Sequence, residues 1–248
     1  MNTISLDINA DVGEGLNNEN ELMPYVSSCN IACGGHAGNN GTMTEVVKLA
    51  LKHKVKIGAH PSFPDKENFG RTLINISTAD LYSSLKMQIE KLQKIINKEN
   101  AYMHHIKPHG ALYNLAAVDE KTAKVIIEVI KSMTVPIKLY APYNSVIAKL
   151  ADMENIALVL EAFADRNYND DLSLVSRKNK HAILTDKHQI LNQILSMVKH
   201  NKVVAINGVE VPIEASTFCI HGDTENATEI LQFLNTELPK NRIQLKRV

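Results

Sequence analysis

The sequence predicts an α/β protein: a parallel (β/α) barrel of about seven strands, which can be distorted or incompletely closed. Three observations carry that prediction. Strand-like and helix-like segments alternate along the 248 residues. Four histidines (His36, His60, His109 and His221) stand just past short apolar runs, beside glycine or proline. No Pro-, Gly- or Ser-rich linker, low-complexity tract or fixed-period repeat divides the chain, so residues 1–248 read as one barrel domain. Parallel strands wound into a barrel would carry those histidines to one mouth. A doubly wound open sheet is the alternative topology.

The elements follow in order. ISLDIN is a first strand and leads into the loop ADVGEGLNNENE. CNIAC is a second strand, closed by GGHAGNNG. From Thr42 to His53, Met43, Val46, Val47, Ala50 and Leu51 recur at helical spacing. VKIGAH is a third strand, followed by the long loop PSFPDKENFGRTLIN. Ser77 or Thr78 caps a helix with Asp80 in its first turn and the stripe Leu81, Leu85, Ile89, Leu92 and Ile96. YMHHIKPHG is a strand and its loop. Asp119 opens a helix carrying Val125, Ile126, Val129 and Ile130. IKLYAP is a strand with a short helix after it, near Ser145 to Ala151. IALVLEAFADR is the next strand and its tip. HAILTD and residues 186–199 make a further strand–helix pair. KVVAINGVEVPIE reads as a hairpin turning at Asn207-Gly208. TFCIHGD and the segment from Thr224 to Leu234 make the last pair.

Composition narrows the function. Lys+Arg and Asp+Glu are each 27, so the formal net charge is zero, and nothing in the balance advertises a nucleic-acid surface or an anionic-membrane partner. The three cysteines fit buried thiols in a reducing cytoplasm, and C-x3-C at Cys29 and Cys33 has no second pair for zinc. The N-terminus lacks the basic and apolar regions of a signal peptide, and no run of about 18 apolar residues occurs. A cytoplasmic, non-membrane protein is expected.

Polar residues cluster at the strand ends. Alternation puts Asp7, Asn9 and Asp11 on one face of the first strand, where they suit a general base or a metal ligand. Asn30 lies in the second strand. His36 sits in a glycine-rich turn before a helix, a place where backbone N–H groups approach anions. No G-K-[ST] closes that turn, so it is not a Walker A loop. His60 and Asp65 are set by two prolines, with Arg71 downstream as a carboxylate or phosphate clamp. Lys107, His109, Tyr113 and Asn114 crowd one strand end, and Lys107 suits an oxyanion or phosphoryl group. Of His104 and His105, one is expected in the core. Glu161 ends an apolar run, so partial desolvation suits it to acid–base work. Asp165 and Arg166 follow it, and His221 precedes Asp223 in the last loop.

DINADVGEG, SCNIACGGHAG, IGAHPSFPD with FGR, KPHGALYN, EAFADRNY, LVSR and CIHGD together resemble the LamB/YcsF family, in the family's order from Asp7 to Asp223. Ala10 and Gly35 depart from it, since the family usually has Cys and Phe there, and loss of the Phe is expected to loosen the wall beside His36. The resemblance implies a barrel related to polysaccharide deacetylase-like barrels. It implies the A-component role in a prokaryotic 5-oxoprolinase, with ATP-dependent opening of 5-oxo-L-proline (pyroglutamate) to L-glutamate, ATP as co-substrate with magnesium, and separate B and C subunits. On that footing Asp11, His60, Glu161 and Lys107 are the catalytic candidates. Asn9, Asn30, His36, Arg71, His109, Tyr113, Asp165, Arg166 and His221 are the substrate- or nucleotide-binding candidates. A homo-oligomer is compatible with the sequence. The alternatives are a metal-dependent amide or carbohydrate hydrolase (a deacetylase) that needs no ATP, with Asp11, His36 and His60 on a divalent metal, and a non-catalytic substrate-binding protein.

Overall fold

The computed structural model describes residues 3–246. In chain order its elements are β1 (Ile4–Val12), α1 (Glu19–Leu22), a 3-10 turn (Met23–Tyr25), β2 (Ser28–Ala32), α2 (Asn40–His53), β3 (Lys56–His60), α3 (Thr78–Lys98), β4 (Met103–Ile106), α4 (Gly110–Ala116), α5 (Glu120–Lys131), β5 (Lys138–Pro142), α6 (Val146–Met153), β6 (Leu158–Phe163), α7 (Lys187–His200), β7 (Lys202–Val204), β8 (Glu210–Pro212), β9 (Thr217–Cys219), α8 (Ala227–Lys240) and β10 (Ile243–Leu245).

Among the described residues, seven parallel strands close in the order β1-β2-β3-β4-β5-β6-β9, because β9 pairs with both β6 and β1. Closure removes the open-sheet alternative and any incompleteness. β10 lies outside that ring, pairing Ile4–Leu6 of β1 with Ile243–Leu245. β7 and β8 form the expected antiparallel hairpin, apart from the barrel, with Gly208 in its turn at φ 85°.

Helix starts follow the capping residues in the sequence. Asn39, Ser77, Asp119, Ser145 and Asp186 each accept a backbone N–H of the first turn of α2, α3, α5, α6 and α7, worth about 1 kcal/mol each. The α3 stripe Leu81, Leu85, Ile89, Leu92 and Ile96 is buried as its spacing predicts, at roughly 1.5–3 kcal/mol per side chain. On β1, Ile8 and Ala10 are fully buried in the apolar core. Their neighbours Asp7, Asn9 and Asp11 hydrogen-bond across the barrel interior. The alternating period thus separates an apolar outer face from a polar inner one.

Several expectations fail. HAILTD is not a strand; Ile183 makes only an isolated bridge to Arg166, and Ala182 O accepts from Arg166 Nε. The segment serves to hold a side chain. The last helix begins at Ala227, not Thr224, and runs to Lys240. The stretch after His109, given no element by the sequence, is α4, and β10 has no counterpart among the expected strands.

Gly58 of β3 pairs with His105 of β4, and a Cβ there would run into the His105 ring. Both are fully enclosed. Gly58→Ala is therefore expected to destabilise the fold by about 1–3 kcal/mol through overpacking. Urea denaturation checks this; an unchanged midpoint would show that His105 can yield.

Candidate active site at the barrel mouth

A polar column fills the barrel axis. At its base, Asp7 accepts from Ser28 Oγ (2.6 Å), Thr217 Oγ1 (2.7 Å) and Lys56 Nζ (3.0 Å). One layer up, Asn9 Nδ2 donates to Glu161 Oε1 (2.9 Å) and Thr217 Oγ1 (2.8 Å). Asn30 Nδ2 donates to Asn9 Oδ1 and Asp11 Oδ1, both at 2.7 Å. His105 Nε2 closes the layer on Asn30 Oδ1 at 2.7 Å, and its ring stacks on Tyr140 at 3.8 Å. His105 is thus the core histidine of its pair, held neutral well below the usual range by burial.

Lys107 lies above this layer, only 1% exposed. Its ammonium is 2.9 Å from Glu161 Oε1 and 3.0 Å from Asp11 Oδ1, and it also reaches Asn9 Oδ1 (3.3 Å) and Cys219 Sγ (3.1 Å). Burial alone would push the Lys107 pKa down. The Asp11 and Glu161 carboxylates, with the hydrogen bond that Lys107 gives to Cys219, more than offset that, so it stays well above the ordinary lysine value. Burial likewise works to raise Asp11, but His60 and Lys107 hold its carboxyl well below the usual range. Burial pushes the Cys219 thiol well up, so it is protonated.

Histidines from the end of β3 and from two loops meet just above. His60 Nε2 lies 3.4 Å from Asp11 Oδ2 and 2.9 Å from His109 Nδ1. His36 stacks on His109 at 3.7 Å, with 3° between the planes. Glu14 stands among them, its Oε1 2.8 Å from His36 Nε2, 3.4 Å from His109 Nδ1 and 3.8 Å from His60 Nε2. Burial lowers His36 to about 3 and His109 to about 2, so both rings are neutral. Burial and the nearby Asp11 raise the Glu14 carboxyl.

The mouth opens into a cleft of about 380 Å³, with Asp11, His60, Lys107 and His109 at its base. Its rim is cationic: Arg71, Arg166, Arg177 and Lys178, with His221 beside them. Asp223 holds Arg71 (2.7 Å) and Arg177 (3.1 Å) together. Arg166 is pinned by Val175 O (2.6 Å) and Ala182 O (3.2 Å). A second chamber of about 350 Å³ adjoins, sharing Tyr113, Asn114, Phe163 and Leu174 with the first. Glu161 lines it; among the described residues neither Glu161 Oε2 nor the Tyr113 hydroxyl has a hydrogen-bond partner. Burial, then the Glu161 charge, hold the Tyr113 phenol well above its usual value.

The convergence expected from sequence is therefore present, with corrections. Asp11, His60, Lys107, Arg71, His109, Tyr113, Arg166 and His221 line the cleft. Asn9 and Asn30 do not; they are fully buried beneath it and position Asp11 and Glu161. Asp165 is also beneath the surface, binding His221 (3.0 Å) and Thr224 (2.5 Å). Burial opposes ionisation there, but His221 and Thr224 keep the Asp165 carboxyl below its usual pKa. Glu161 opens to the second chamber and not to the cationic cleft, because Lys107 occupies its other oxygen. His36 lies behind His109, 3% exposed.

Glu14 is a site residue that strand periodicity does not reveal. Alternation along β1 stops at Gly13, whose φ of 73° turns the chain back and returns Glu14 to the mouth. Cys219, expected to be a structural thiol, contacts the Lys107 ammonium, and Arg177, expected only as part of a motif, joins the rim. The wall beside His36 is not loosened at Gly35. A Cβ there would meet Ser62 and Gln88, and Gln88 bonds Ser62 N at 3.0 Å and Ser62 O at 2.9 Å. Gln88 and Ser62 fill that space.

The LamB/YcsF family matches residues 6–248. The A component of 5-oxoprolinase from Haemophilus influenzae is 41% identical over 97% of this chain and 98% of its own length. The crystal structure of a lactam utilization protein from Thermus thermophilus superposes with a TM-score of 0.91 at 35% identity, covering 99% of this chain and 100% of that one. A "T48 deacetylase with substrate" superposes with a TM-score of 0.50 at 12% identity, over 99% of this chain and 88% of its own, and shares the fold alone. No helix of the described residues is long and apolar enough to cross a membrane.

Proposed function

The chain belongs to the LamB/YcsF family, and we propose that it serves as the A component of a 5-oxoprolinase, opening 5-oxo-L-proline to L-glutamate with ATP, magnesium and separate B and C partner subunits. The observation that carries this reading is the buried Lys107, set between Asp11 and Glu161 under an arginine-rimmed cleft.

The chemistry suits a lactam. A five-membered cyclic amide resists attack because its carbonyl carbon is a poor electrophile. Transfer of the γ-phosphoryl of ATP to the lactam oxygen would release ADP and activate that carbon. Water then adds and the ring C–N bond breaks, the ring nitrogen leaving as the amine; the acyl phosphate so formed is hydrolysed by a second water to glutamate and phosphate. In this chain Arg71, Arg166 and Arg177 would hold the substrate carboxylate or the phosphoryl group. Lys107 would face charge developing on the lactam oxygen. Asp11 and His60, adjacent at the floor, would take the proton of the attacking water. Glu161 Oε2 and Tyr113 offer polar atoms to whatever enters the second chamber.

Glutamate release from 5-oxoproline by the chain together with both partner subunits tests this. Omitting ATP, or either partner, is expected to stop it; release that continues without ATP would overturn the reading. Such ATP-independent release would instead favour the second reading, metal-dependent amide or carbohydrate hydrolysis, which the imidazole cluster supports.

Arg71 is partly exposed, its side chain 40% accessible, and its pairing with Asp223 is a surface ion pair, worth about 0–1 kcal/mol to stability. Arg71→Ala should therefore leave the melting temperature almost unchanged while raising KM for 5-oxoproline by about tenfold or more, the loss of one charge-assisted hydrogen bond. Steady-state kinetics of the assembled complex checks it; unchanged KM would remove Arg71 from the binding rim.

A further inference from the structure

The second chamber is the opposite of the cleft in charge. No lysine, arginine or histidine of the described residues lines it, while Glu161 and Asp171 do. Its walls are apolar and aromatic, built from Tyr113, Tyr143, Phe163, Leu172, Leu174 and Ile213. An anion placed there would meet carboxylates and no cation, so anionic groups are favoured in the arginine-rimmed cleft instead. The floor carries two buried polar atoms in need of partners. Glu161 is 1% exposed; its Oε1 takes Asn9 and Lys107, and its Oε2 has no partner among the described residues. Tyr113 is buried too, and its hydroxyl likewise has none. Leaving such atoms unpaired is costly, and a ligand that pairs them removes the cost.

Those two atoms define the ligand. A carboxylate oxygen only accepts, so Glu161 Oε2 requires an N–H or O–H donor. Lys107 already offsets the Glu161 charge at 2.9 Å, so a neutral donor suits the site better than a second ammonium, which would be buried without a counter-charge of its own. The Tyr113 phenol keeps its proton, and a hydroxyl turns that proton toward an acceptor. The floor therefore asks for a donor beside an acceptor on a ring that fits between aromatic and aliphatic walls. Adenine has that edge: its amino group donates and the adjoining ring nitrogen accepts. The volume, about 350 Å³, lies in the range of small-molecule sites.

One continuous segment joins the chamber to the cleft. Asp171 to Leu174 wall the chamber, and Leu174 to Lys178 wall the cleft, ending in the cations Arg177 and Lys178. Tyr113, Asn114 and Phe163 border both spaces as well. A nucleotide changes character in the same direction, from an uncharged base to its phosphates. We infer that the second chamber is the base pocket for an adenine nucleotide. Glu161 Oε2 accepts from the amino group, the Tyr113 hydroxyl donates to the adjoining ring nitrogen, and the phosphates reach Arg177 and Lys178 in the cleft. The inference rests on the ATP requirement of the proposed function and goes beyond it by putting the nucleotide on this chain and not on a partner subunit.

The test is calorimetric titration of the full chain alone with adenosine, inosine and ATP. Adenosine carries no phosphate, so it reads the chamber by itself; it is expected to bind, and ATP to bind more tightly through the cationic rim. Inosine puts a carbonyl where adenosine has its amino group, which would set an acceptor against Glu161 Oε2. Its affinity should be lower on the order of 100-fold. Tyr113→Phe removes only a hydroxyl that bonds nothing among the described residues. It should leave the urea midpoint unchanged and weaken adenosine about tenfold. Arg177→Ala should weaken ATP and leave adenosine as it was. Absence of adenosine binding up to its solubility, equal binding of inosine, or undiminished binding by Tyr113→Phe would overturn the inference. Glutamate release that still requires ATP would then put the nucleotide on a partner subunit and leave the proposed function standing. Selective adenosine binding beside ATP-independent release would instead keep the site and overturn the function.

Discussion

Lys107→Met is expected to unfold the protein more readily and to silence it. The substitution keeps the length of the side chain but removes the one ammonium that Asp11 and Glu161 share at 3.0 and 2.9 Å. Both carboxylates are enclosed, at 5% and 1% exposure. Removing one member of a buried ion cluster typically costs about 3–5 kcal/mol, because the remaining charges lose their compensation. Loss of a preorganised cation at a developing oxyanion typically lowers kcat by about 10²–10³-fold. Denaturant titration and glutamate release by the assembled complex read the two effects separately. A second substitution, Glu161→Gln, should restore part of the stability of Lys107→Met, since it removes one of the two stranded charges; the two sites are in contact and should be non-additive. If Lys107→Met unfolds at the native midpoint, the lysine is not what compensates the column.

Asp11→Asn isolates chemistry from folding. The amide matches the carboxylate in shape and keeps an acceptor for Asn30, while Glu161 still balances Lys107. What disappears is a carboxylate held ionised by His60 and Lys107 and placed beside His60 Nε2. Losing a positioned proton acceptor lowers turnover by about 10²–10⁴-fold. The expected result is therefore a collapsed kcat with KM for 5-oxoproline within a few-fold of native and a near-native circular dichroism spectrum. Full activity in Asp11→Asn would remove this residue from the reaction.

Much of this site is legible in the sequence because strand periodicity carries over into three dimensions. The alternation Asp7, Asn9, Asp11 forces three polar groups to one side, and in a closed barrel that side is the axis. The histidines and Lys107 are legible as residues that end strands, since parallel strands end at one mouth. What escapes lies where periodicity ends. Gly13 reverses the chain before Glu14, and no sequence spacing reports a positive φ. Stacking of His36 on His109 depends on how far two loops, 73 residues apart in sequence, fold over each other. HAILTD has strand composition, but its backbone groups are spent on Asn167 and Arg166 of the preceding loop. β10 is three residues long and exists only because β1 offers a free edge at Ile4–Leu6. Gly35 illustrates the opposite case: a residue difference that suggests a gap is filled by Gln88 and Ser62, from segments distant in sequence.

On the proposed function, the barrel mouth should hold one molecule of 5-oxo-L-proline. A crystal structure of the chain with 5-oxo-L-proline measures that directly. The ring should lie in the cleft over Lys107, Asp11 and His60, with its carboxylate on Arg71, Arg166 or Arg177. Ordered ligand at any other face of the barrel, or a cleft that stays empty at saturating ligand, would contradict it.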